Sequence, residues 1–246
     1  MSKMPDACYM CDKPGTTKEH VPPKSFFPQG RRTNIWTVPS CPEHNIDNSR
    51  DVEYVRNAIC IHYGTNTAAK EVFEVAKRSY DHSPALFNRT FSEIAAIRVN
   101  GEEVGQFPFD LARVKAVVNA IVHALSYRDF GRQYIGQWRV FCATLRSPAD
   151  VPPENVAKWD RRRRTLETVP YTSVEVPEPE VFSYGIGRLD DGGFAYRLVF
   201  YGGFVVYSWP ILTDGKRATM RALIGVFVVA AFLAVTFGLW WTHRLR

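Results

Sequence analysis

Cys8-Tyr9-Met10-Cys11 and Cys41-Pro42-Glu43-His44 are the two stretches that decide how the first part of this chain folds. In each, two metal-binding side chains are separated by two residues, so one tight turn presents both to a single ion. Together they make a closed Cys3His set with no position left for water or substrate. That predicts a structural zinc site at Cys8, Cys11, Cys41 and His44. Such a site compensates for the small core available to a unit of about 60 residues. The chain has five cysteines, and the remaining two, Cys60 and Cys142, stand in apolar surroundings and read as buried thiols. Met1-Ser2-Lys3-Met4-Pro5-Asp6 contains no apolar run, so no secretory signal is expected, and a reducing compartment with zinc in place of disulfides is the simpler reading.

Between the half-sites lies Thr17-Lys18-Glu19-His20-Val21-Pro22-Pro23-Lys24, a carboxylate directly before a histidine, followed by prolines that stop a strand. Asn34 follows on the approach to Cys41, and Asn45 comes immediately after His44. This arrangement over residues 8–55 resembles the HNH (ββα-metal, treble-clef) endonuclease family. Its zinc-containing members show C-x-x-C, an Asp/Glu-His pair, an Asn, and a second C-x-x-C/H followed by His or Asn. Here the lead acid is Glu19, and the second pair ends in His44.

The resemblance implies His20 as general base, since imidazole can take a proton from water near neutral pH. It implies Asn34 as the residue that holds the catalytic loop and steers the imidazole. Glu19 and Asn45 become ligands of a hard divalent ion, Mg²⁺ or Mn²⁺, that offsets charge on the scissile phosphate and the departing oxygen. Asp47, Asp51 and Glu53 are further carboxylates just beyond Asn45; Asp51 ranks first among them as an added ligand, against the alternative that they are partners of a helix N-terminus. Lys18, Lys24, Arg31, Arg32 and Arg50 surround the site in sequence and are candidate phosphate contacts, with solvated surface as the alternative for each.

The rest of the 246 residues carries less chemistry. Hydrophobic and charged fractions of 46% and 23% exclude global disorder, and the net charge of +6 suits a polyanionic partner without requiring one. Helices are expected from Ser49-Arg50-Asp51 onward, over Thr67–Ser79, and over Leu111–Tyr127. In the last, Leu111, Val114, Val118, Ile121 and Leu125 repeat at helical spacing, and His123 beside them reads as structural. Asn100-Gly101 signals a short hairpin, and Gln137–Leu145 a strand. Residues 147–180, with six prolines and the run Arg161-Arg162-Arg163-Arg164, read as a connector. Residues 181–210 alternate as an antiparallel meander. Residues 222–241 are uncharged and about twenty long, enough to span a bilayer, with basic residues and Trp240-Trp241 at the borders.

The expected fold class is therefore α+β. A zinc-stapled ββα-metal module (1–62) precedes a mixed helical region packing on it (63–146), the connector, the meander and a single C-terminal transmembrane helix. The expected function is a metal-dependent HNH endonuclease hydrolysing DNA phosphodiester bonds. Membrane lipid at 222–241 would hold the nuclease module on the cytoplasmic side, which invites a role in prokaryotic defence against entering DNA. Two other readings stay open: a non-catalytic zinc module binding nucleic acid or protein at a membrane, and a membrane regulatory or assembly protein stabilised by its zinc knuckle.

Overall fold

A computed structural model describes residues 6–47, 49–91, 93–99, 101–145 and 152–211. Strands β1 (Thr17–Val21) and β2 (Trp36–Ser40) form an antiparallel hairpin in which Glu19 lies opposite Val38 and His20 opposite Thr37. Two short 3-10 turns, Lys24–Phe26 and Gln29–Arg31, join them and bury Phe26. Helix α1 (Arg50–Cys60) follows, with the Ser49 hydroxyl accepting from the Val52 N–H at 3.1 Å and Asp51 and Glu53 in the first turn. An N-cap oxygen and acids at the positive end of the helix dipole explain why it starts there.

Helix α2 (Thr67–His82) is capped by Asn66, whose side chain accepts from the N–H groups of Ala68 and Ala69. Helix α3 (Pro84–Thr90) leads to a hairpin of β3 (Ala95–Val99) and β4 (Glu102–Gln106). Gly101 closes that turn at φ +87°, a conformation side chains resist. Helix α4 (Leu111–Phe130) is capped by Asp110 and ends on Gly131 at φ +65°. Its face of Val114, Val117, Val118, Ile121 and Leu125 is buried.

A five-stranded antiparallel sheet occupies the rest, in the order β5 (Trp138–Cys142), β9 (Phe204–Pro210), β8 (Phe194–Phe200), β7 (Phe182–Arg188), β6 (Tyr171–Val174). The expected three-strand meander is its centre; β5 and β6 extend it on either side. Alternation along β9 divides the side chains. Phe204 and Val206 enter the main core, whereas Tyr207 joins Phe141 and Leu166 in a second cluster under helix α5 (Pro153–Glu167). One continuous core runs from Cys8 and Phe26 through α1, α2 and α4 to β7, β8 and β9. The Phe26 and Phe200 rings meet at 5.6 Å, and the Tyr201 hydroxyl donates to the Phe26 carbonyl at 2.7 Å.

Two expectations are corrected. The stretch 147–180 is not a plain connector, because it holds α5 and β6. Pro152 and Pro153 sit at the N-cap and first helical positions, where a missing N–H costs nothing, and Arg163 pairs with Asp160 and Glu167 along the helix. The transmembrane part of the expected fold class, and with it the membrane location, is not upheld: no helix among the described residues is long and apolar enough to cross a membrane. The expected span at 222–241 lies outside the described residues. The fold is α+β, with a five-stranded antiparallel sheet.

Candidate metal centre and the adjoining His20 site

The first knuckle is fixed by backbone before any metal is considered. The Cys8 N–H donates to the Lys13 carbonyl at 2.9 Å, and the Tyr9 N–H to the Pro39 carbonyl at 2.8 Å, which ties this turn to β2. The second knuckle is a turn in which the N–H groups of His44 and Asn45 both donate to the Cys41 carbonyl at 3.1 Å. These turns bring one donor atom from each of Cys8, Cys11, Cys41 and His44 within 4.8 Å of one another. Cys11 and Cys41 Sγ are 3.8 Å apart, and His44 Nδ1 is 3.5 Å from Cys8 Sγ and 3.3 Å from Cys41 Sγ. Every cysteine is free, and 3.8 Å is far beyond the roughly 2.05 Å of a disulfide. The four residues form a group that can hold a metal ion.

The surroundings of Cys8 favour its charged form. Burial pushes the Cys8 thiol up, but the backbone N–H groups of Met10, Cys41 and Cys11 and the His44 ring outweigh it and bring it to about 6. Gln133, just beyond α4, donates its amide N–H groups to the carbonyls of Cys8 and Cys11, the latter at 2.6 Å. The buried Tyr9 hydroxyl donates to the His44 carbonyl at 3.0 Å, so both knuckles are buttressed by side chains that bind no metal. Sequence reading did not find Gln133 or Tyr9; Gln133 lies too far along the chain for any local pattern to link it to Cys8.

Strand alternation sends Glu19 and His20 of β1 to opposite sides. Glu19 is 2% exposed. Its Oε2 accepts from the Ile46 N–H at 2.8 Å, while Oε1 is buried without a hydrogen-bond partner among the described residues. Burial, reinforced by the charge of Asp47, pushes this carboxyl up to about 8. His20 is partly exposed, and its Nδ1 contacts Asp47 Oδ2; Asp47 Oδ1 accepts from the Lys24 N–H at 2.9 Å. With Nδ1–H donated to this carboxylate, Nε2 carries the free lone pair.

The remaining expected site residues are placed as follows. Asn45 donates its amide to the Lys18 carbonyl at 3.0 Å and thereby pins the second knuckle to β1. Asn34 is exposed in the turn before β2 at φ +66°, and the imidazole is held by Asp47 rather than by Asn34. Asp51 accepts from Arg113 Nε of α4 at 2.7 Å, so the acid that meets His20 is Asp47. Its signal in the sequence was an acid three residues past His44, at the end of the knuckle. Lys18, Lys24 and Arg50 are exposed. Arg31 is engaged by Glu180 and Glu71, and Arg32 Nε donates to the Phe27 carbonyl at 2.9 Å, which leaves its terminal guanidinium N–H groups uncommitted by that bond. Among the described residues, Cys8, Cys11, Cys41 and His44 are the one convergent group of His, Cys, Asp or Glu ligands.

Set against models of known families, curated proteins and solved structures, the chain matches none of them.

Proposed function

We propose that the chain is a metal-dependent endonuclease of the HNH type, acting on the phosphodiester bonds of DNA, with zinc in its Cys3His clamp. The observation that carries this reading is His20 held through Nδ1 by Asp47 on a hairpin-then-helix unit whose ends are joined by four metal-binding side chains.

Zinc suits the donors. Bonds of about 2.3 Å to sulfur and about 2.0 Å to nitrogen at the tetrahedral angle put two sulfurs roughly 3.8 Å apart and a sulfur and a nitrogen roughly 3.5 Å apart. The 3.8 Å between Cys11 and Cys41 Sγ and the 3.5 Å from Cys8 Sγ to His44 Nδ1 match these values, and the 3.3 Å from Cys41 Sγ to His44 Nδ1 is slightly shorter. A full shell leaves no place for substrate, so the clamp positions β1 and α1 and takes no part in the reaction.

Asp47 fixes the ring and the tautomer of His20, and Nε2 is then the atom that takes the proton from the attacking water. Exposed Lys18, Lys24 and Arg50 supply positive charge for a phosphate backbone. A divalent ion, Mg²⁺ or Mn²⁺, would supply charge compensation at the scissile phosphate. Glu19, through its unpartnered Oε1, and Asn45, through its amide oxygen, are the residues that the family resemblance implies would hold it. The reading is tested by incubating the full-length chain with supercoiled plasmid and each ion in turn. Nicking that requires the ion, and that stops when His20 is replaced by Ala, is the expected outcome.

A second reading has its own support. Glu19 is buried and already bonded to Ile46, and its elevated carboxyl is a poor cation ligand as it stands. That favours a zinc module which binds nucleic acid or protein without cutting. Binding of plasmid without nicking under any of the ions would establish it in place of the nuclease.

A further inference from the structure

Away from His20, the edge strand β5 borders an open recess of about 550 Å³ between α4, β5, β9 and α5. On α4 the outward positions Ala112, Lys115, Ala116 and Asn119 recur at three- and four-residue spacing, opposite the buried stripe. The two alanines leave room there. Lys115 and Arg139 of β5 are exposed, and Arg162 of α5 is held 6.0 Å from the ring centre of the half-buried Trp209 on β9. Among the described residues no acidic one lines this recess. Among the described residues none of the three cations is in an ion pair, whereas the neighbouring Arg163 is held by Asp160 and Glu167. The helix therefore neutralises one arginine of its run and presents another, uncompensated, beside an aromatic ring.

We propose that this groove binds single-stranded nucleic acid, with backbone phosphates on Lys115, Arg139 and Arg162 and a base stacked on Trp209. Cations alone would suit any polyanion; an indole within the charged recess selects one that carries flat rings. Positive grooves that track a backbone while aromatic side chains take the bases are the general solution for single strands. A duplex keeps its base faces stacked on one another and so offers none to such a ring. The groove uses none of the residues of the His20 site, so binding here holds whether or not the chain cuts DNA.

The test is fluorescence anisotropy of a labelled oligothymidylate of about 16 nucleotides with the full-length chain, without added divalent ions, as a function of salt. Replacing Lys115, Arg139 and Arg162 together by Gln is expected to reduce the slope of log affinity against log salt by about 2, from about 0.7 per phosphate lost. W209L is expected to weaken binding about tenfold, with W209F restoring it through its ring. H20A is expected to bind like the unaltered chain, which separates this claim from the nuclease claim. The proposal is overturned if the triple variant keeps the full salt slope, if W209L binds as tightly as W209F, or if inorganic polyphosphate at equal phosphate concentration displaces the oligonucleotide as well as unlabelled oligothymidylate does.

Discussion

Asp47 joins the His20 imidazole to the Lys24 backbone and so fixes both the direction and the tautomer of the ring. Asp47→Asn should lower DNA nicking by about 10–100-fold, as loss of an orienting partner does elsewhere. Asp51→Ala should leave it within about twofold, because Asp51 is tied to Arg113, and should cost no more than about 1 kcal/mol in chemical denaturation. Equal losses from the two changes would refute the role given to Asp47. His123 offers a second test at this scale. It is buried beside Tyr134 and Trp138, and burial pushes its pKa down to about 4. Its folded pKa is depressed, so its contribution is full above the unfolded value of about 6.5 and is lost as pH falls through about 4. His123→Leu should flatten the fall in stability between those limits, read as the difference from the unaltered chain in urea midpoints. The four side chains that can hold a metal were legible in the sequence because two x-x spacings are local signals. Asp47 was only one acid among three, since helix-start acids and site acids look alike until a fold shows which one faces the histidine.

At the scale of elements, Gln133 shows how the segment after α4 holds the first knuckle. Its amide serves two carbonyls, of Cys8 and Cys11, that otherwise lack this donor. Gln133→Ala should destabilise the chain by about 1–3 kcal/mol and speed removal of metal by a chelator, measured by release to a chromophoric ligand. Unchanged release kinetics would count against that buttress. Helices α1, α2 and α4 were readable from apolar stripes at helical spacing, and α1 also from Ser49 at its start; the caps at Asn66 and Asp110 emerge only in the structure. Helix α5 was hidden by the same prolines that start it. Strand β6 was hidden because four residues between proline-rich flanks carry no alternation long enough to read. The pairing of β5 with β9 joins segments on either side of α5, and no local pattern encodes such a partner.

At the scale of the whole molecule, one continuous core among the described residues links the two Cys/His knuckles to the five-stranded sheet, so the N-terminal unit is stabilised by packing on the rest of the chain. Metal bound to the folded chain and not to the unfolded one adds its binding free energy to stability. Chelation should lower the midpoint of thermal unfolding by on the order of 10 °C while leaving a single transition, because the core is shared. Appearance of an early, separate transition on chelation would instead mean that the knuckles fold independently of the sheet. The central claim is that Cys8, Cys11, Cys41 and His44 hold the scaffold while His20 does the chemistry. Metal content and initial plasmid-nicking rate should be measured on the same preparations of the unaltered chain and His20→Ala, with Mg²⁺ or Mn²⁺ present for the nicking. Equal zinc, one ion per chain, with nicking reduced at least about 100-fold by the substitution, is the predicted result. Equal nicking by both proteins, or ion-dependent nicking by neither, would contradict it.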